Sequence, residues 1–396
     1  MRSANPSRLN IVTLGRSGVG KSSLLNYLLG RQHFKTGVGR PVTGAGFFET
    51  ESEIAGVKVT IIDSYGIESG ANFEKWKQLL EKKLKTHDTS HPIEEWLHVV
   101  IYCISAYDKR IEPIDTQIIS RLGASDQKII IAITNADQGE DVCRELRNEV
   151  CRSCPNTKEE NFVEIDSVNY KKQYSGVELR KMIMEHYFDN VFKALPEHCI
   201  RLAKIEIEKF FARESSRLKQ WVEYKRFDAE HNSQYIKLLK DDCSWFVDSF
   251  KKELFPKIIK DAVTQSMAIA QNLGLLISQG ISDGELCKDF SVTFDDILNK
   301  PSSFWSDSWV DNIGLALVAV STVWFVAPYV IIDELFNGEE KFMKSLETKL
   351  GNFCENMKSE IDKRGKDIDK LFLSLKDNIL SGTNIQQGEG NELHNH

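Results

Sequence analysis

Eight residues constrain this chain more than any others: Gly15-Arg-Ser-Gly18-Val-Gly20-Lys21-Ser22. They stand between a β-branched run, Leu9-Asn-Ile-Val-Thr-Leu14, and the run Lys21-Ser-Ser-Leu-Leu-Asn-Tyr-Leu-Leu29, which is closed by Gly30. Those compositions predict a strand, a glycine-rich turn and a helix. Glycines let the backbone curl so that successive N–H groups point inward, and the start of the following helix adds its positive end. Such a concavity with a lysine at its rim seats an anion, and the spacing GxxxxGK[ST] is that of loops which cradle nucleotide phosphates. On this reading Gly15, Arg16, Ser17, Gly18, Val19, Gly20, Lys21, Ser22 and Ser23 line the phosphates. Lys21 reaches the β- and γ-phosphates, and the Ser22 hydroxyl ligates Mg²⁺.

The rest of the first half supplies a scaffold for such a loop. Residues 46–53 and 56–63 read as a hairpin around Ala55-Gly56. A helix near 72–85, a strand at 97–104, a helix at 113–122 and a strand at 128–134 come next. A helix at 140–152, a strand at 162–166 and a helix near 176–188 complete the alternation. Strands and helices in alternation predict an α/β domain, a mostly parallel sheet with helices on both faces, over residues 9–190.

Four further motifs fall in order on these elements. Thr43 lies in Arg40-Pro-Val-Thr-Gly44 before the second strand, and Asp63-Ser-Tyr-Gly66 ends the third. Thr134-Asn-Ala-Asp137 ends the strand Ile129-Ile-Ile-Ala-Ile133, and Ser167-Val168 comes after Phe162-Val-Glu-Ile165. With the phosphate loop, they make residues 9–190 resemble the small P-loop GTP-binding domains of the Era-like and septin-like type. That resemblance implies hydrolysis of GTP to GDP and phosphate with Mg²⁺. It implies that Thr43 closes on the metal and the γ-phosphate, its carbonyl placing the attacking water. Asp63 would hold Mg²⁺ through water, and the Gly66 N–H would sense the γ-phosphate. The metal set is thus Ser22, Thr43 and Asp63, and the catalytic set Lys21, Thr43 and Gly66. Thr134, Asn135 and Asp137 read the base, because a carboxylate accepts both N1–H and N2–H₂ of guanine. Ser167 and Val168 offer a backbone N–H to guanine O6.

Departures from that pattern bear on rate and affinity. Asn135 replaces the family's lysine, whose stem packs over the base, which predicts weaker guanine binding. Tyr65 replaces a proline, and Thr50 is a weaker rival to Thr43. Ile67 comes directly after Gly66, so the water-orienting glutamine of the small signalling GTPases is missing. Intrinsic hydrolysis should therefore be slow, raised by a homodimer through the GTP-binding domain or by a partner. Gly18 stands where potassium-activated members carry Asn, so no cation activation is expected. Arg16 and Arg40 are drawn toward phosphate by location, with surface or structural roles favoured for both.

Beyond Tyr170 helical periodicity takes over. Ile236, Leu239, Cys243, Phe246, Phe250, Leu254 and Ile258 step by three or four, as do Phe342, Leu346, Leu350, Phe353, Met357 and Ile361. The stripe resumes at Ile368, Leu371, Leu375 and Ile379. These predict an all-α bundle or stalk over 191–381, with 1–8 an extension and 382–396 a polar, disordered tail. Within it, Ile313 to Ile332 is twenty residues without a charge, about 30 Å as a helix. Insertion in a membrane and burial inside the bundle fit that string equally, and a helical protein partner is a third use for it. The layout resembles dynamin-like and immunity-related GTPases, a likeness of architecture alone.

Composition narrows the partners. Lys plus Arg is 51 against 58 Asp plus Glu, a net charge of −7, which gives no support to a nucleic-acid binder. Eight scattered cysteines and no apolar leader predict a cytoplasmic chain with free thiols, membrane-associated only through residues 313–332. Cys151 and Cys154 form a lone CxxC, and His87 and His91 lie in a polar loop, so neither pair is expected to hold metal. Together these features point to a GTPase whose nucleotide state is coupled to a helical domain. A dynamin-like membrane-remodelling GTPase and a GTP-binding scaffold with negligible turnover are the alternatives.

Overall fold

The structure, a computed structural model, describes residues 8–29, 46–54, 57–65, 71–124, 128–166, 174–224, 229–279, 338–374 and 376–377. Thr43, Gly66, Ile67, Ser167, Val168 and the segment Ile313–Ile332 lie outside them. Contacts divide the chain into two units. Among the described residues, the first comprises those up to Ala194 together with 264–279 and 376–377, and the second comprises Leu195–Val263 and 338–374.

The first unit is built on β1 (Arg8–Leu14), β2 (Gly46–Ile54), β3 (Val57–Tyr65), β4 (Val99–Ser105), β5 (Ile130–Thr134) and β6 (Phe162–Ile165). They form one sheet in the order β2-β3-β1-β4-β5-β6. Only β2 runs antiparallel, paired with β3 through the expected hairpin; β3, β1, β4, β5 and β6 are mutually parallel. The interleaved helices are α1 (Lys21–Leu29), α2 (Ala71–Thr86), α3 (Pro113–Ala124) and α4 (Glu140–Ser153). Every residue of β4 and β5 is buried, as the continuous run of Val, Ile and Cys demands of a sheet covered on both faces. On one face Val12, Leu14, Val100, Tyr102, Ile104, Ile131 and Ile133 share a core with Trp76 of α2, Ile118 of α3 and Leu146 of α4. On the other, Leu9, Ile11, Ile101 and Ala132 are fully buried in the alternate positions.

The last helix of the first unit does not stop where expected. One helix, α5, runs from Tyr174 to Tyr224, with Pro196 inside it. Proline lacks the N–H that would bond the carbonyl of Phe192, and such a position costs about 3 kcal/mol. The buried row Phe188, Phe192, Leu195, Cys199, Ala203, Ile207 and Phe210 passes through the proline without a gap and outweighs that cost. Residues up to Ala194 belong to the first unit and those from Leu195 to the second. Residues 264–279 and 376–377 were expected in the helical part, and they group with the first unit instead. The reasons are local: the Tyr187 hydroxyl donates to Ser266 O at 2.6 Å, and Lys376 Nζ bonds Asp189 at 2.7 Å.

In the second unit the end of α5 meets α6 (Ala229–Ser249) and α8 (Glu339–Lys363). Phe210 stacks on Phe246 at 4.1 Å between centroids and lies 6.1 Å from Phe353. All six members of the stripe from Phe342 to Ile361 are buried. The stripe on α6 is buried as far as Phe250, and then slips by one residue. Phe250–Leu254 form a π-helical turn before α7 (Phe255–Gln279), so Phe255 and Ile259 are buried while Leu254 and Ile258 are only half-buried. Pro256 explains the slip, because its ring would strike the carbonyl of residue 252 in a regular helix, and a wider turn relieves the clash. Ile368 and Phe372 are fully buried beyond α8, with Leu371 half-buried; Leu375 and Ile379 lie outside the described residues. Among the described residues no helix is long and apolar enough to cross a membrane.

Candidate nucleotide site

The candidate site sits at the carboxyl end of β1, where the strand order reverses between β3 and β4. That is where open α/β sheets bind ligands. Residues 15–20 form the turn between β1 and α1. Gly15 has φ +139, and a Cβ there would collide with the carbonyl oxygen of Cys103, so only glycine lets the loop lie against β4. Gly18 has φ +83 and faces open space, with nothing within 4 Å of where a Cβ would be. Val19 is buried, Ser17 is exposed, and Ser22 and Ser23 are half-buried in the first turn of α1.

Lys21 is only 7% exposed, and its ammonium is held by two carbonyls of the same loop. Nζ donates to Gly15 O at 3.0 Å and to Arg16 O at 2.9 Å. Neither carbonyl brings a counter-charge, which suits an ammonium facing an anion seated in the loop. The Arg16 side chain, by contrast, points away from such an anion. Its Nη2 bonds Asp108 at 2.6 Å and its Nε bonds Asp115 at 3.2 Å. Asp115 is buried at the start of α3, where it also accepts from the Tyr102 hydroxyl at 2.7 Å and the Glu112 N–H at 3.0 Å. Burial, and then the Asp115 carboxylate, hold the Tyr102 hydroxyl far above its ordinary pKa, so it stays a donor.

Of the residues expected to read the base, Thr134 is tied to the same loop. The Thr134 hydroxyl lies 2.6 Å from Val19 O and 3.1 Å from Ile104 O. It has one proton for two acceptors, and the shorter contact assigns that proton to Val19. Asn135 adopts the left-handed conformation, φ 53, and its Nδ2 donates to Ser105 Oγ at 2.8 Å. Asn accepts that conformation at low cost, which suits it to this position. Asp137 is exposed in the turn Ala136–Gln138. Asp63 pairs in register with Thr13, close to the carboxyl end of β1, and Thr50 is within β2 opposite Ile61. The structure thus brings together the phosphate loop, Thr134 and Asn135. Two partners of the loop had no sequence signal, Asp108 and Asp115, and neither had Ser105, the partner of Asn135.

The donor set fits a nucleotide phosphate with its metal: an open loop of positive-φ glycines, a carbonyl-held lysine, and a serine in the first helical turn. Among the described residues, no group of three or more His, Cys, Asp or Glu side chains could hold a metal alone. Cys154 is buried at the end of α4, where the Ser120 hydroxyl donates to its Sγ at 3.4 Å. Burial raises the pKa of both Cys151 and Cys154, which leaves neither poised as a thiolate.

Residues 10–135 match the family described as 50S ribosome-binding GTPase, about a third of the chain, and the first unit has the fold of a P-loop GTPase domain. No curated protein matches the chain in sequence. Solved structures that overlap it include Toc33 from Arabidopsis thaliana in complex with Mg²⁺ and GMPPNP. That overlap has 19% identity and a TM-score of 0.32, and covers 41% of this chain and 72% of that one. A probable GTP-binding protein engB overlaps with 22% identity and a TM-score of 0.32, covering 45% of this chain and 98% of that one.

Proposed function

We propose that this chain binds GTP with Mg²⁺ and hydrolyses it to GDP and phosphate, and that its nucleotide state is passed to the helical residues. The observation that carries the reading is the Thr134–Val19 bond. It joins the turn bearing Asp137 to the phosphate loop at 2.6 Å, so that one rigid unit offers a carboxylate for guanine and a lysine for the phosphates. Lys21 neutralises charge that builds on the β–γ bridge, which is where electrostatic stabilisation counts in phosphoryl transfer. Ser22, Thr43 and Asp63 would hold the metal, whose part is to neutralise and align the phosphate oxygens. Gly66 and the Thr43 carbonyl complete the switch, and Ser167 and Val168 the base pocket.

Turnover is slow in the isolated chain, because Ile67 offers no group to orient water, and a second copy or a partner at the GTP-binding domain raises it. Measurement of labelled-nucleotide binding tests the site directly. Lys21→Ala should abolish it, and Asp137→Asn should move preference from guanine to xanthine nucleotides. Equal competition by ATP and GTP in the unaltered chain would overturn the base assignment. The membrane-remodelling and scaffold readings rest on Ile313–Ile332 and Ile67. Liposome flotation with and without GTP tests the first, and single-turnover hydrolysis across protein concentration tests the second.

A further inference from the structure

We infer that Arg16 is a positioning residue for Lys21: its guanidinium, clasped by Asp108 and Asp115, fixes the Arg16 carbonyl, one of the two that aim the lysine ammonium at the phosphates. The inference rests on the nucleotide reading above and adds to it a residue whose work is done away from the ligand. Lys21 Nζ donates to Gly15 O and Arg16 O, at 3.0 and 2.9 Å. Where those oxygens lie helps to set where the buried ammonium points. Gly15 is set by its close approach to the Cys103 carbonyl. Arg16 is set by its side chain, through two carboxylates at 2.6 and 3.2 Å.

The clasp is anchored on a rigid base. Asp115 is only 1% exposed, and it is fixed by the Tyr102 hydroxyl from β4 and by the Glu112 N–H that opens α3. The arginine side chain therefore ties the first turn of the phosphate loop to the β4–α3 junction. An arginine that served the phosphates directly would have to leave Asp115 buried without its cation, which is costly.

The test uses the full chain and compares GDP with GMP, the latter read by competition against a fluorescent GDP. Lys21 addresses the β-phosphate, so loss of its aim should be felt by GDP and not by GMP. Arg16→Ala should weaken GDP about tenfold, the scale of one charge-assisted hydrogen bond, and leave GMP within about twofold. Asp115→Asn should show the same signature, and the double variant should be no worse than the weaker single, because the two side chains act as one element. Arg16→Lys, which keeps one contact, should recover part of the loss. A folded Arg16→Ala protein with a lowered melting midpoint and an unchanged GDP-to-GMP preference would reduce Arg16 to a purely structural residue and overturn the inference. If Arg16→Ala does not fold, Asp108→Asn, which alters only the more exposed contact, decides: GDP should weaken about threefold with GMP unchanged, and no change overturns the inference. Failure of the unaltered chain to bind GDP would instead overturn the nucleotide reading, and the inference with it.

Discussion

His98 shows how a single side chain can lock the sheet to its surroundings and set a pH limit on stability. Its ring is fully buried, Nδ1 accepts from the Asn10 N–H at 2.9 Å, and Nε2 donates to Ile93 O at 2.9 Å. The Tyr187 ring lies 5.8 Å away. Burial lowers its pKa from 6.5 to about 4, with the Ile93 carbonyl opposing and His87 adding to the shift. The unfolded chain therefore takes up this proton at higher pH than the folded one. The stability it contributes is present above pH 6.5 and is lost as pH falls toward 4. Between pH 7 and 5 that loss is about 2 kcal/mol. His186, lowered to about 4 chiefly by burial, adds a loss in the same direction. Urea denaturation at both pH values should show a shallower dependence in His98→Gln; equal slopes in the two proteins would show that His98 does not carry the effect. None of this was legible in the sequence, because the partners of His98 lie 88 residues away at Asn10 and on a loop with no periodicity. The phosphate loop is the opposite case. Its glycines work through their own backbone, and the Lys21 ammonium meets carbonyls only five and six residues away, so spacing alone revealed them, whereas Asp115 is 99 residues from Arg16 and left no trace.

At the scale of elements, β4 and β5 were legible because burial on both faces needs unbroken apolar runs, and β2 and β3 were legible as a hairpin; all six strands appear within a few residues of expectation. The helices were legible in their stripes and not in their phase. Periodicity continued the α6 stripe through Leu254 and Ile258, but the π turn adds a residue and rotates the buried face of α7 onto Phe255 and Ile259. Truncation separates the two phases. Phe255→Ala should cost about 3–5 kcal/mol in denaturant unfolding, as for a buried phenylalanine, and Leu254→Ala about 1 kcal/mol. The reverse order would place Leu254 in the core and remove the π turn. The continuity of α5 was equally hidden, since a proline reads as a boundary unless the buried row on either side is seen to stay in step.

At the scale of the whole molecule, the first unit is assembled from three stretches of chain. Beyond its continuous part, Gln265 and Ser266 of α7 bond Glu94 and Tyr187, and Lys376 bonds Asp189, which Lys128 also pairs at 2.5 Å. A fragment ending at residue 194 loses those partners. It should melt at a lower temperature than the full chain and bind a hydrophobic dye that the full chain does not. A fragment that matched the full chain's melting midpoint would show that the later stretches are not needed. During synthesis the same arrangement imposes a wait. Asp189 and Lys376 are 187 residues apart, and at about 5–20 residues per second the second emerges after the first by roughly 10–40 s. For that interval the nascent domain has its phosphate loop complete and its last ion pair unmade, so it is the ribosome's pace, as well as the free energy of the fold, that decides how long the unit stands unfinished.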